Sequence, residues 1–240
     1  MKRLRVATYN IHKCIGIDRR YSPERIVEVL RETGADVVAL QEVVCHSNLR
    51  ERDHQARFIA ESLEMNYCVG ENRLHKGGDY GNATLSRFPI REFHNYDITV
   101  MRREPRGCLV TSIEPSEQAG FQFLNLHMGT SFFERRQQAR RLVNSHGLST
   151  PEPNGRRIIA GDFNEWTTGL TTKLLKTKYR CVDSKLHLGT SRTFPGIMPL
   201  VHLDHIYFDN GFDLIGATVH KTRASLVASD HLPIVAEFEV

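Results

Sequence analysis

The sequence predicts an α+β protein built on two packed β-sheets with helices outside them. Three observations carry this. Segments with a strand pattern outnumber helical ones. They recur along the whole chain. The helical segments fall between them, where they can cover the outer faces of a two-sheet stack. A chain of 240 residues can bury a sizeable core as one domain, so residues 1–240 read as a single unit.

Strand patterns cover residues 4–9, 37–40, 83–86, 109–113, 121–126, 157–160, 203–208 and 233–240. The last alternates cleanly: Ile234, Ala236, Phe238 and Val240 fall on one face, Glu237 and Glu239 on the other. The run Glu114-Pro115-Ser116-Glu117-Gln118-Ala119-Gly120 joins two strands in the manner of a hairpin loop. Ser22 suits an N-cap, Pro23 the first helical position and Gly34 a C-terminal stop. Ile26, Val29 and Leu30 recur between them at helical spacing. Residues 55–65 and 133–146 read as two further helices. The short Pro/Gly-rich run at 150–155 joins a helix to a strand rather than two domains.

The bulk properties exclude several classes. Hydrophobic content of 40% and charged content of 25% are those of an ordinary globular protein. A net charge of +4 permits a phosphate-bearing partner without requiring one. The five cysteines are odd in number, widely spread and without a C-x-x-C pair, which argues against a disulfide framework or a structural zinc site. Buried thiols in a reducing compartment fit them. The basic start Met1-Lys2-Arg3-Leu4-Arg5 is followed by a run too short and polar for a signal sequence. No stretch has the ~18 apolar residues of a membrane span. These readings together imply a cytoplasmic protein with no stable membrane insertion; a monomer is expected, although nothing in the sequence sets the oligomeric state.

Polar residues sit at the ends of the strands: Asn10, Glu42, His127, Asp162 with Asn164, and Asp230 with His231. Rigid strands delivering polar side chains at their ends make a preorganised site. Phosphodiester hydrolysis needs a cation on the phosphoryl oxygens, an activated water and stabilised developing charge. Glu42 is a carboxylate of the kind a hard cation takes; a solvated surface glutamate is the plainer alternative. Asp162 and Asn164, two apart, share a side in extended chain, with Phe163 packing the other way; an Asx turn is the alternative. A buried Asp204 bonded to one nitrogen of His231 would leave the other nitrogen a competent base. His127 or His231 alone would read as structural.

Taken in order, T-Y-N (8–10), L-Q-E-V (40–43), N-L-H (125–127), G-D-F-N (161–164), L-D-H-I (203–206) and S-D-H-L-P (229–233) resemble the endonuclease/exonuclease/phosphatase superfamily. The resemblance implies a four-layer α/β/β/α sandwich of two mostly antiparallel sheets flanked by helices. It implies a Mg²⁺-dependent phosphoesterase, with Mn²⁺ left open as a substitute. Glu42 matches the principal metal ligand, with Asn10 beside it and Asp230 as metal or site support. Asp162 and Asn164 match residues that orient the attacking water and contact the phosphate. Asp204 and His231 match an Asp–His dyad in which His231 is the general base, with Asp162 its competitor. His127 matches a phosphate or leaving-group contact. Asn82 and Arg106 are further candidates for the substrate.

The substrate stays open among nucleic acid, phospholipid head groups and small phosphate esters. DNA is preferred. His127 resembles the deoxyribonuclease I, sphingomyelinase and inositol-phosphatase branches, whereas abasic-site endonucleases usually carry Tyr there. The T-F-P run at 193–195 keeps nucleic acid open, since Phe194 could stack on a base or simply pack its loop. Arg135, Arg136, Arg140 and Arg141, and the cluster Lys173, Lys176, Lys178 and Arg180, could neutralise DNA phosphates or sit on anionic lipid; a solvated face is the plainer alternative. No exposed hydrophobic hairpin of a membrane-binding kind stands out. A catalytically silent binding module on the same fold would have lost at least one site residue; all are present.

Overall fold

The computed structural model describes residues 3–46, 53–116, 120–144, 148, 156–182 and 192–239. The first of two six-stranded sheets holds β1 (Arg3–Asn10), β2 (Val37–Cys45), β3 (Asn66–His75), β4 (Gly78–Ser86), β11 (Asp213–Val219) and β12 (Ile234–Glu239). The second holds β5 (Ile90–Asp97), β6 (Gly107–Ile113), β7 (Phe121–His127), β8 (Arg157–Asp162), β9 (Arg180–Cys181) and β10 (Asp204–Phe208). The strand orders are β11-β12-β1-β2-β4-β3 and β5-β6-β7-β8-β10-β9. Each sheet has one parallel pair at its centre, β1–β2 and β7–β8, and is otherwise antiparallel. Five helices flank them among the described residues: α1 (Pro23–Thr33), α2 (Gln55–Ser62), α3 (Phe132–Asn144), α4 (Leu170–Leu175) and α5 (Arg223–Ala228).

Three apolar clusters mark the three interfaces of a four-layer stack. Leu4, Val6, Val37, Ala39, Ala236 and Phe238 of the first sheet meet Phe121, Phe123, Ile158, Ala160, Ile206 and Phe208 of the second. The intervening residues face outward. Tyr9, Val38 and Leu40 pack on Ile26, Val29 and Leu30 of α1 and Ile59 of α2. Leu124, Ile159 and Tyr207 pack with Leu142 of α3 and Leu175 of α4. Central strands covered on both faces are apolar at successive positions, which is why they stand out in the sequence.

Four strands carry no clear sequence signal: β3, β5, β9 and β11. All four are sheet edges. An edge strand buries less and alternates less sharply; β5 and β11 are largely exposed or half-buried. The six-residue helices α4 and α5 are also missing from the sequence reading, although Thr222 and Ser225 form a capping box for α5. Helix α1 starts at Pro23 and stops at Gly34 (φ 60°) as expected, but the Ser22 hydroxyl donates to Glu24 Oε2 and makes no capping bond. The expected hairpin exists as the antiparallel pair β6–β7. Its tip at 117–119, the run 150–155, the expected helix end at His146 and the last strand residue Val240 lie outside the described residues.

Gly161, on β8, lies at φ +150°, and a Cβ there would sit 2.0 Å from the backbone oxygen of Leu126 on β7. That neighbour is a strand backbone held in register and cannot yield. Gly161→Ala will lose on the order of 3 kcal/mol of stability. Thermal unfolding checks this; a midpoint within about 2 °C of wild type would contradict it.

Candidate active site

The inward face of the two-sheet core turns polar at one end. On β1 the inward phase runs Leu4, Val6, Thr8, Asn10; on β7 it runs Phe121, Phe123, Asn125, His127; on β8, Ile158, Ala160, Asp162. Strand β10 runs in the opposite direction and begins this phase at Asp204, before Ile206 and Phe208. Asn10, His127, Asp162 and Asp204 are thus the last inward positions of four strands, and all are buried.

Glu42 breaks this phase. Leu40 and Val43 both face the outer cluster, so a regular β2 would turn residue 42 outward as well. The register with β4 shifts between Leu40 and Val43, and Glu42 takes φ 56°. This bulge directs its carboxylate into the site.

Beneath the site lies a polar seam between the sheets. Gln41 Nε2 donates to Asn125 Oδ1 (2.8 Å), and Asn125 Nδ2 donates to the carbonyls of Leu40 (3.0 Å) and Ala83 (2.8 Å). Asn82 donates from Nδ2 to the carbonyls of Gly107 (3.1 Å) and Asn125 (3.3 Å). Sequence reasoning missed Gln41 and Asn125 as functional supports. The available signal was a polar residue within each strand segment, Gln41 in Val37–Cys45 and Asn125 in Phe121–His127.

The convergence point is Asp162 Oδ2. Asn10 Nδ2 donates to it at 3.0 Å, His127 Nε2 lies 3.6 Å away and His231 Nε2 3.8 Å away. Its other oxygen accepts the Asn164 N–H at 2.9 Å. Asn164 has φ 50°, so it does not share an extended side with Asp162 as expected. The chain makes an Asx-type turn there, while Phe163 is buried as expected. Asn164 Nδ2 donates to the Met128 carbonyl at 2.9 Å.

His231 Nδ1 contacts Asp204 Oδ2 at 2.9 Å, the expected dyad. Burial alone would push this imidazole down; Asp204, followed by Asp162, pushes it up to about 10. Asp162 is raised by burial to about 6, against the pull of His231. His127 is fixed differently. Arg106 Nη1 lies 2.9 Å from His127 Nδ1, and a guanidinium can only donate. Nδ1 is therefore the acceptor and Nε2 carries the proton. Burial, reinforced by Arg106, holds His127 well below the ordinary imidazole range.

Burial opposes the charge on Glu42, yet His127 and Lys13 hold its carboxyl down at about 2. Lys13 is the permanent cation of the two, and its ammonium rests on Glu42 Oε2. Asn10 Nδ2 also reaches Glu42 Oε1 at 3.5 Å. Asp230 faces His12, whose Nδ1 is 3.7 Å from its Oδ1.

Asn10, Glu42, Arg106, His127, Asp162, Asn164, Phe194, Asp230 and His231 all line one open cavity of about 610 Å³. Asp204 stands behind His231. Of the residues expected at the site, Asn82 does not line the cavity, because its amide bridges the sheets. Arg106 is held by His127 and by Glu104 Oε2 (3.1 Å), which leaves it a positioning contact rather than a free anion binder. Phe194 packs on His231, with ring centroids 4.9 Å apart. Arg135 is buried and donates to the carbonyls of Gly129 and Thr130, so it does not join the exposed basic face of α3.

A hard cation fits this donor set. Glu42 opens on the cavity and already holds a positive charge from Lys13. Asp162, Asp204 and His231 form a second, buried group whose ligand atoms lie within 4.8 Å of one another, close enough to hold a metal ion. The five cysteines are free and four are buried. Burial raises Cys45 and Cys68 to about 11, Cys108 to about 12 and Cys14 well above the ordinary thiol range, so these four are not nucleophiles in waiting. No helix among the described residues is long and apolar enough to cross a membrane.

Comparison with known proteins agrees with this geometry. The model of the endonuclease/exonuclease/phosphatase family matches residues 7–231. The protein YbhP of Escherichia coli K12 is 31% identical over 248 aligned positions, covering 98% of this chain and 96% of the relative. An endonuclease/exonuclease/phosphatase structure from Beutenbergia cavernae superposes with TM-score 0.80 at 20% identity, covering 100% of this chain and 72% of that one. A mannosyl-6-phosphatase from Bacteroides thetaiotaomicron superposes with TM-score 0.78 at 21% identity, covering 99% and 100%. The family match spans every strand that delivers a site residue, and the chain belongs to the endonuclease/exonuclease/phosphatase family.

Proposed function

We propose that this protein is a Mg²⁺-dependent hydrolase of phosphate esters, acting on a phosphodiester. One observation carries the reading: three donors, Asn10, His127 and His231, converge on Asp162 beside the open carboxylate of Glu42. Members of the family hydrolyse phosphate esters, and a divalent metal is their usual cofactor. Glu42 would hold the metal, with Asp230 and Asn10 near it. Mg²⁺ keeps several waters, which suits the open Glu42 end better than the buried Asp162–Asp204–His231 group. When bound, the ion would neutralise charge on the phosphoryl oxygens.

The protein's own groups then divide the work. Asp162, raised towards neutral pH, accepts the proton of the attacking water as its oxygen bonds to phosphorus. His231, held as an imidazolium by Asp204, faces the developing negative charge. This exchanges the roles first given to His231 and Asp162. His127 presents Nε2–H as a neutral donor to the leaving oxygen as its bond to phosphorus breaks. Arg106 and Glu104 keep that tautomer in place.

The test uses bis(p-nitrophenyl) phosphate and supercoiled plasmid, with Mg²⁺ or EDTA, for wild type and His231→Ala. Turnover of one of them should require the metal and fall by about 10²-fold or more in the variant. Metal-independent turnover, or an unaffected variant, would refute the reading. Plasmid nicking would support the DNA preference, which rests on the exposed Arg136, Arg140 and Arg141 of α3.

A further inference from the structure

Lys13 reaches Glu42 from a strained piece of backbone. His12, Lys13 and Cys14 have φ 44°, 59° and 57°, three successive residues in the left-handed region, and none is glycine. Single residues visit that region, but a run of them sets each Cβ against the following carbonyl oxygen. The turn is closed by the Cys14 N–H on the Ile11 carbonyl (2.8 Å) and the Ile15 N–H on the His12 carbonyl (3.0 Å). It is also held from outside. Asn10 Oδ1 accepts the His12 N–H at 3.0 Å. The buried Gln55 donates from Nε2 to the Lys13 carbonyl (2.8 Å) and accepts the Val44 N–H on Oε1 (2.8 Å). Val44 follows the bulge of β2. One buried amide thus ties the turn that carries Lys13 to the strand that turns Glu42 inward.

Two irregular pieces of backbone, clamped together, bring an ammonium onto a carboxylate. Stability does not account for this. A partly buried ion pair adds little net stability, because desolvation offsets the attraction. Backbone strain of this kind is kept where a site depends on it. The other lysine or arginine side chains that line the cavity are Arg73 and Arg106. Both are bonded to Glu104, on Oε1 (2.9 Å) and Oε2 (3.1 Å). Lys13 is the one that rests on the carboxylate assigned to the metal.

We propose that Lys13 is a displaceable counter-ion: it holds Glu42 in the metal-free protein, yields that carboxylate to a divalent cation, and then binds a non-bridging oxygen of the substrate phosphate. The displacement rests on the metal assignment at Glu42, and the phosphate contact rests on the phosphoesterase reading above. Like charges a few ångströms apart repel, so a metal on Glu42 drives the ammonium away. The anion that enters the cavity Lys13 lines is then its natural partner. A lysine suits the exchange, since its ammonium is a point charge on a flexible four-carbon stem.

Lys13→Met and Lys13→Arg test both halves. Circular dichroism checks their folding, and calorimetry measures Mn²⁺ binding without substrate. Lys13→Met should bind Mn²⁺ about tenfold tighter than wild type, because the competing cation is gone. Lys13→Arg, whose fork can grip the carboxylate with two bonds, should bind it more weakly than wild type, and carries the test if Lys13→Met does not fold. Inorganic phosphate is then titrated. With Mg²⁺ present, Lys13→Met should bind it about tenfold more weakly than wild type, and without Mg²⁺ most of that difference should vanish. Turnover of bis(p-nitrophenyl) phosphate at saturating Mg²⁺ should fall by about 10²-fold in Lys13→Met. Mn²⁺ binding that is unchanged in the folded variants, or weaker in Lys13→Met, would overturn the displacement. Phosphate binding with Mg²⁺ that ignores Lys13, or undiminished turnover, would overturn the phosphate contact. If wild type binds Mn²⁺ and phosphate as expected but hydrolyses neither bis(p-nitrophenyl) phosphate nor plasmid, the phosphoesterase reading fails and the exchange at Lys13 stands.

Discussion

Asp162→Asn is expected to lower turnover by about 10³-fold or more while leaving the protein folded. The substitution keeps the shape and removes the charge. In wild type, Asp162 Oδ1 accepts the Asn164 N–H, and Oδ2 receives Asn10 Nδ2 and faces the ring nitrogens of His127 and His231. An amide that keeps its oxygen on Asn164 turns its NH₂ towards three donors. An amide flipped the other way sets NH₂ against the Asn164 N–H. Either way the variant loses the carboxylate that accepts the water's proton and disorders the groups that orient it. A second readout separates this from a mere loss of packing. Asp162 is one of the charges that hold His231 up, so the His231 imidazole should titrate at lower pH in the variant. NMR titration of its ring protons checks this. A variant with full turnover, or an unchanged His231 midpoint, would remove Asp162 from the centre of the site.

How much of this was legible beforehand follows from strand phase. Asp162 and Asp204 fall two residues beyond, or before, apolar inward positions of their own strands, and Asn10 and His127 fall four residues beyond Val6 and Phe123, so their direction could be read from alternation alone. The central strands were legible because both faces are covered. The edge strands β3, β5, β9 and β11 were not, since a strand with one neighbour is under weaker demand for apolar residues. The direction of Glu42 was beyond the local sequence as well. Its turn into the site depends on a bulge against β4, and a bulge is a property of the pairing. The role of Arg106 was hidden for a similar reason. Only the fold brings it to His127 Nδ1, where it fixes a tautomer instead of binding an anion.

Glu42→Gln tests the other half of the site, and its effects are expected in two places. Turnover should fall by about 10³-fold, and the Mg²⁺ concentration needed for what remains should rise by about 10²-fold. The amide keeps the size of the side chain, and the β2 bulge needs only the backbone, so the variant should fold. The second effect appears without metal or substrate. In wild type, the Glu42 carboxyl is held at about 2, below its ordinary value of 4.5, despite burial, with Lys13 the nearby cation. A folded-state value below the unfolded one stabilises the protein at pH above about 4.5, and that contribution is lost as pH falls towards about 2. Wild type in EDTA should therefore lose more stability across that window than the Gln variant, which has no group there to titrate. Calorimetry at stepped acid pH measures the difference. If the variant instead keeps its turnover and its metal requirement, the ion is not at Glu42. The buried group of Asp162, Asp204 and His231 would then be the place to look, and Lys13 would be the permanent partner of Glu42 rather than a cation that a metal displaces.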